Sequence, residues 1–202
     1  DIDLDEKAVA ELPDYMRPMA MYNAMVYPLT RYTVRGFLWY QGESNIGCHT
    51  EYAARMADMV AGWRAQWGLG ELPFYFVQIA PYAKYKNPGS AAAIREQQAR
   101  VAALKEKTGM VVVSDLVENV NDIHPRRKQK VGRRLANWAL AETYGKPQGK
   151  YRHASFASMK IKGQKAVIEF NDAEGGIHSD DKPVETLEIC DASGVFHPAR
   201  AI

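Results

Sequence analysis

The feature that most constrains the fold is an alternation between short apolar-rich runs of strand type and longer amphipathic segments. The strand-type runs occupy residues 34–40, 74–80 and 110–113. The amphipathic segments occupy residues 51–67, 91–107 and 128–144. A repeated order of strand, helix and strand predicts right-handed βαβ units and a parallel sheet that helices cover on both faces. The sequence therefore predicts an α/β fold.

The spacing of apolar residues predicts which face of each helix packs against the sheet. Apolar side chains recur every three or four residues, which places them on one helical face. The inward positions predicted in this way include Tyr52, Met56, Val60, Ile94, Val101, Leu104, Val131, Leu135 and Trp138. Gly109 is expected to end the second helix, because glycine commonly follows the last helical residue.

The pattern changes near residue 150. Short strand-type runs follow at residues 159–162, 166–170 and 186–189, separated by glycine-containing turns. We therefore expect residues 1–150 to form the main α/β domain, itself partial, and residues 151–202 to begin a β-rich module that is also incomplete. Since the chain opens without methionine and stops shortly after an apolar pair, we expect it to be a fragment or a processed portion of a longer protein.

Composition narrows the classes of partner. The formal net charge is only +2, which gives no support for a nucleic-acid partner, and no apolar run is long enough to span a membrane. The basic residues at 126–134 are expected to form the solvated face of the third helix. Cys48 and Cys190 match no metal spacing and are expected to be free, buried thiols, with a disulfide as the alternative.

Polar and small residues directly follow the first predicted strand. In open α/β sheets, ligands bind beyond the carboxyl ends of the strands. Gly42 would allow close approach of the backbone, and the side-chain amides of Gln41 and Asn45 could donate to a developing oxyanion. The alternative is an ordinary strand-to-helix turn in which Ser44 or Asn45 caps the next helix.

An acid and an imidazole lie together in a later loop, after the third strand. Asp122 and His124 are two residues apart, and Pro125 restricts the backbone of His124. A histidine that a carboxylate orients is the usual general base of ester hydrolysis. A lone surface histidine remains the alternative on local pattern alone.

Several segments, in order along the chain, together resemble the sialate O-acetylesterase family. The most specific is the string Trp39-Tyr40-Gln41-Gly42-Glu43-Ser44-Asn45, and others lie at residues 23–29, 72–80, 94–98 and 122–125. The resemblance covers about residues 19–145. It implies an SGNH-type serine esterase that removes acetyl groups from sugar hydroxyls, as in sialic acid. It also implies a flavodoxin-like, three-layer parallel sheet, no cofactor, an acetylated carbohydrate substrate, and a secreted, periplasmic or lysosomal location.

The resemblance also implies roles for individual residues. His124 matches the family's catalytic base, with Asp122 as its acid. Gln41 and Gly42, with Glu43, Ser44 and Asn45, match the block that lines the oxyanion and substrate site. The acid of SGNH enzymes usually lies three residues before the histidine, where this chain has Asn121, so Asp115 is an alternative to Asp122.

The chain departs from the family in lacking the early Gly-Gln-Ser-Asn block that carries the nucleophilic serine. Three explanations are open. The first places the serine on a preceding segment of the same protein. The second makes the chain a non-catalytic carbohydrate-binding or interaction module. The third makes Ser44 itself the nucleophile, since a serine beside glycine after a strand resembles a nucleophile turn.

Overall fold

The computed structural model describes residues 5–177, 184 and 187–202. The chain divides into two compact units, Asp1–Tyr151 and Arg152–Ile202. The helices are α1 (Glu6–Ala10), α2 (His49–Trp67), α3 (Pro88–Leu104) and α4 (Lys128–Trp138). Within the described residues, no helix combines the length and apolarity needed to cross a membrane.

The first unit contains the strands β1 (Phe37–Tyr40), β2 (Phe74–Val77) and β3 (Thr108–Val111). Short 3-10 turns cover Asp14–Met16, Tyr27–Leu29, Glu43–Cys48 and Ser114–Leu116, and π-helical turns cover Tyr22–Val26 and Ala139–Thr143. The strands form a parallel sheet in the order β1-β2-β3, with Phe37 beside Phe74 and Phe74 beside Thr108. The predicted parallel sheet is confirmed.

The central strand β2 is buried on both faces, because helices cover both sides of the sheet. Phe74 and Phe76 pack with α2 and α3, whose contributions include Tyr52, Met56, Val60, Ile94 and Val101. Tyr75 and Val77 point the other way and pack against Val131, Leu135 and Trp138 of α4. The three-layer arrangement thus follows from the alternation of side chains along one strand.

Gly109 does not end the second helix, as the sequence suggested, but lies inside β3. A Cβ at Gly109 would lie 2.6 Å from the ring of Trp138, so only glycine lets that indole pack on the strand. Leu104, expected to point inward, is 57% exposed because it is the last residue of α3.

The expectation of buried thiols is wrong. Cys48 and Cys190 are both free and exposed. Cys48 closes the 3-10 turn before α2, and Cys190 ends a strand whose four residues are all exposed. Neither position lies on a face that packs against the core.

The described residues of the second unit form two antiparallel pairs of strands. These strands are β4 (Ser155–Lys162), β5 (Lys165–Asn171), β6 (Leu187–Cys190) and β7 (Phe196–Ala199). The predicted strands at 159–162 and 166–170 lie within β4 and β5. Of the run predicted at 186–189, residue 186 lies outside the described residues, and the strand begins at Leu187.

Arg64, near the end of α2, is only 6% exposed and joins the loops that lead into β2 and β3. Its guanidinium donates to the carbonyl of Leu72 at 2.9 Å, to the carbonyl of Glu106 at 2.7 Å and to the carboxylate of Glu71 at 2.7 Å. The apolar spacing of α2 gives no indication of this role, because it depends on loops far away in sequence.

We expect Arg64→Met to lower the free energy of unfolding by about 2–4 kcal/mol, since it leaves two carbonyls without their charged donor. Urea unfolding of the chain measures this change. Arg55→Met is the matched control, because Arg55 lies on the same helix but pairs with Glu51 at the surface. Equal losses in the two variants would contradict the role assigned to Arg64.

Candidate active site

The Gln41–Asn45 segment forms a tight turn at the carboxyl end of β1. The Asn45 N–H donates to the Gly42 carbonyl at 2.9 Å, and the Gln41 side-chain amide donates to Asn45 Oδ1 at 2.6 Å. Gly42 is buried and has a φ of +153°. A Cβ there would lie 2.7 Å from Ile79 Cγ2 and 3.0 Å from Gln98 Nε2, so the turn requires glycine.

The capping alternative for this segment is wrong. The residues after Gly42 form the 3-10 turn Glu43–Cys48, and no side chain in the described part of the chain caps this turn or α2. Asn45 instead accepts the amide of Gln41. Ser44 is exposed, and Glu43 is partly buried.

The Asp122–His124 loop forms a separate small pocket. It has a volume of about 200 Å³ and is lined by Glu118, Asn119, Asp122, His124, Pro125 and Arg126. Asp122 Oδ1 accepts the backbone N–H of His124 at 2.9 Å, and Asp122 Oδ2 lies 4.0 Å from Arg126 Nε. The carboxylate therefore fixes the backbone of the histidine, while the His124 side chain is exposed and has no hydrogen-bond partner among the described residues.

Asp115, the alternative acid, is bound to a guanidinium. Arg134 donates to both Asp115 oxygens, at 2.7 and 2.5 Å, and also to the carbonyl of Val112 at 2.6 Å. Arg134 is thus partly buried, so the expectation that it lies on the solvated face of the third helix does not hold for this residue. A bidentate Arg–carboxylate pair is strong and directional, which makes Asp115 less available to an imidazole than Asp122.

The two segments approach each other through β1 and α4. Lys128, four residues after His124, lies over the ring of Tyr40 with its Nζ 4.6 Å from the ring centroid. Tyr40 also packs against the core formed by α4. In addition, the loop after β2 is joined to the one before Asp122, since the Ala83 N–H donates to the carbonyl of Val120 at 2.8 Å. The structure thus brings the end of β1 and the start of α4 together at the carboxyl edge of the sheet.

Three tyrosines, Tyr40, Tyr52 and Tyr85, have raised pKa values to which Glu43 contributes. Burial, with added repulsion from Glu43 and Tyr85, raises the pKa of Tyr40 from 10.0 to about 12. Burial also raises the pKa of Tyr52 and that of Tyr85, and Glu43 adds to the rise in both. The Tyr40 and Tyr85 hydroxyls are buried and have no hydrogen-bond partner among the described residues. These phenols are therefore neutral at ordinary pH.

We expect the chain to lose stability at alkaline pH because of these tyrosines. The raised pKa of Tyr40 means that the folded state holds more protons than the unfolded state between pH 10.0 and about 12. The neutral Tyr40 hydroxyl therefore makes its full contribution to the free energy of unfolding below pH 10.0, and this contribution is lost as the pH rises through that interval. Urea unfolding across alkaline pH should show a shallower decline for Tyr40→Phe than for wild type, with exposed Tyr15→Phe as the control. Parallel declines in all three proteins would contradict the assignment.

Sequence reasoning missed Gln98, which the structure places behind the Gln41–Gly42 turn. Its side chain is 0% exposed. One signal was present, since Gln98 lies four residues after Ile94 and three before Val101, on the inward stripe of α3. A polar residue on an apolar stripe indicates a buried hydrogen-bonding role.

No group of three His, Cys, Asp or Glu side chains suited to a metal ion occurs in the part of the chain that the structure describes.

Comparison with known proteins identifies the family. The profile described as carbohydrate esterase, sialic acid-specific acetylesterase matches residues 8–141. Sialate O-acetylesterase of Rattus norvegicus is 33% identical over 142 residues, 62% of this chain and 26% of that protein. The Homo sapiens sialate O-acetylesterase is 32% identical over the same length, 62% of this chain and 27% of the relative.

A solved structure gives the same result. The crystal structure of a carbohydrate acetylesterase from Xanthomonas citri has a TM-score of 0.82 and 34% identity, covering 96% of this chain and 46% of that one. The chain spans about a quarter of the length of the Rattus norvegicus and Homo sapiens relatives, 26% and 27% respectively. The resemblance seen in the sequence is confirmed, and the chain belongs to the carbohydrate esterase family of sialic acid-specific acetylesterases.

Proposed function

We propose that this chain forms part of an SGNH-type serine esterase that removes O-acetyl groups from sugars such as sialic acid. The observation that carries the proposal is the family match at residues 8–141, which includes both the Gln41–Gly42 turn and the Asp122–His124 loop. The meeting of Lys128 with Tyr40 supports it, since it draws those two segments to one edge of the sheet. The resemblance seen in the sequence further implies that the enzyme would act in a secreted, periplasmic or lysosomal setting.

In this proposal His124 is the general base. A serine hydroxyl attacks the acetyl carbonyl, His124 takes the serine proton, and the same proton passes to the sugar oxygen as the ester bond breaks. Water then attacks the acetyl-serine by the same route, which releases acetate and restores the serine. Asp122 is the favoured acid, because Asp115 is held by Arg134. Gln41 and Gly42 supply donors to the oxyanion, and Glu43, Ser44 and Asn45 line the sugar side.

We propose that the nucleophilic serine lies on another segment of a longer polypeptide. In the described chain, neither the hydroxyl of Ser44 nor the imidazole of His124 has a hydrogen-bond partner, so nothing couples Ser44 to the base. The position of β1 at the edge of the described sheet also supports another segment, and its Leu38 is 62% exposed. An edge strand has one side without a hydrogen-bonded neighbour, so a strand of that other segment could pair there.

The test is hydrolysis of 4-nitrophenyl acetate by the chain alone and by the chain extended with the preceding segment of its natural polypeptide, each with and without Ser44→Ala. We expect hydrolysis only in the extended protein, with Ser44→Ala retaining it. Hydrolysis by the chain alone that Ser44→Ala abolishes would instead make Ser44 the nucleophile. No hydrolysis by any folded form would favour the alternative of a non-catalytic carbohydrate-binding module.

A further inference from the structure

The carbonyl of Gln41 is held by two buried donors from different helices. The Tyr52 hydroxyl, on α2, donates to it at 3.0 Å, and Gln98 Nε2, on α3, donates to it at 3.2 Å. Tyr52 is 5% exposed and Gln98 is 0% exposed, so water cannot replace either donor easily. The carbonyl is therefore fixed toward the side of the sheet that α2 and α3 cover.

Gln98 also fixes the neighbouring strand. Its Oε1 accepts the backbone N–H of Ile79 at 2.9 Å, just beyond the end of β2. One side chain thus links the end of β1 to the end of β2, and both its amide oxygen and its amide nitrogen are hydrogen-bonded. Burying a primary amide is costly unless its hydrogen bonds are made, and these bonds satisfy it.

The fixed carbonyl determines the direction of the next N–H. In a planar trans peptide, the C=O of one residue and the N–H of the next point in opposite directions. Since the Gln41 carbonyl points toward α2 and α3, the Gly42 N–H points away from them. Among the described residues this N–H donates to no acceptor. A free, directed backbone donor at the carboxyl edge of a sheet is the kind of group that stabilises an oxyanion.

Because residue 42 is glycine, the two hydrogen bonds to the Gln41 carbonyl are needed to hold the peptide in one orientation. A flip of the Gln41–Gly42 peptide changes ψ of Gln41 and φ of Gly42, and glycine accepts both signs of φ with little steric cost. Gly42 has a φ of +153°, and glycine by itself does little to favour this orientation of the peptide over the flipped one. Hydrogen bonds from two helices select the state in which the N–H faces away from the core.

We propose that Gln98 and Tyr52 are positioning residues that orient the Gly42 N–H toward the carbonyl oxygen of the acetyl group. The inference rests on the proposed esterase function for its catalytic consequence. The orientation of the peptide itself does not depend on that function. Gln98 carries the larger effect, because it anchors Gln41 and Ile79 together.

The experiment has two readouts on Gln98→Met and Tyr52→Phe, with Gln97→Met as the matched control on the same helix. The first is the chemical shift and hydrogen-exchange rate of the Gly42 amide in the 202-residue chain, by nuclear magnetic resonance. The second is kcat and KM for 4-nitrophenyl acetate in the extended protein. We expect both variants to shift the Gly42 amide signal, and Gln98→Met to lower kcat by about 10- to 100-fold with KM changed by less than about 3-fold.

The two readouts separate the positioning role of Gln98 and Tyr52 from the proposed esterase function. Unchanged Gly42 signals in both variants, or a kcat for folded Gln98→Met equal to that of Gln97→Met, would overturn the positioning role. If Gln98→Met does not fold, Tyr52→Phe decides the question alone, because it deletes only a hydroxyl. Absence of hydrolysis in the wild-type extended protein would overturn the proposed function, while the resonance data would still decide the orientation of the peptide.

Discussion

Replacing His124 by alanine is expected to lower kcat for acetyl-ester hydrolysis by at least about 10³-fold, because in the proposed mechanism no other group accepts the serine proton. The free energy of unfolding should change by less than about 0.5 kcal/mol, since His124 is exposed. The backbone N–H that donates to Asp122 remains in alanine. Steady-state kinetics and urea unfolding of the extended protein measure the two quantities.

His197→Ala is the matched control for this change. His197 is also exposed, and it lies on β7 in the second unit. It should leave both kcat and stability unaltered. Retention of most of the activity by His124→Ala, in a protein as stable as wild type, would show that the base lies elsewhere.

Gly42→Ala is expected to have the second large effect, on both stability and catalysis. The new Cβ would lie 2.7 Å from Ile79 Cγ2 and 3.0 Å from the Gln98 amide, at a φ of +153° that alanine rarely adopts. We expect a loss of about 1–3 kcal/mol in the free energy of unfolding. Displacement of the turn should also move the proposed oxyanion donor, the Gly42 N–H, and lower kcat by about 10²-fold or more. Thermal unfolding and steady-state kinetics check the two effects.

Gly47→Ala provides the comparison for this glycine. Gly47 lies in the adjacent 3-10 turn, and a Cβ there would meet no atom within 4 Å. Both variants add one methyl group to the same segment, but Gly42 has close neighbours and a positive φ, whereas Gly47 has neither. If the two variants had the same stability and kcat, close packing behind Gly42 would not be important.

The parts of the fold that could be predicted are those that depend on local periodicity. The stripe of Tyr52, Met56 and Val60 on α2 is buried as expected, and so is the continuous apolar run of β2. Local patterns failed where a distant group decided the outcome. Gly109 resembles a helix stop in the sequence, yet it is a strand residue that lies opposite Tyr75 of β2 and beneath the ring of Trp138, far along the chain.

The sequence predicts the residues of the candidate site but not their polar contacts. Gln41, Gly42 and His124 stay predicted site residues, and the structure places their segments at one edge of the sheet. The sequence could not indicate that Asp115 is held by Arg134, or that Gln98 bonds to Gln41 and Ile79. Such polar contacts join residues far apart in sequence, and periodicity carries no information about them. Whether Asp122 acts on the imidazole of His124 remains a prediction.

The proposed esterase function is tested most directly by the release of acetate from O-acetylated sialic acid by the extended protein, compared with its His124→Ala variant. We expect the wild-type protein to release acetate and leave the free sugar, and the variant to release almost none. A folded wild-type protein that releases no acetate from this or other acetylated sugars would rule out the proposed function.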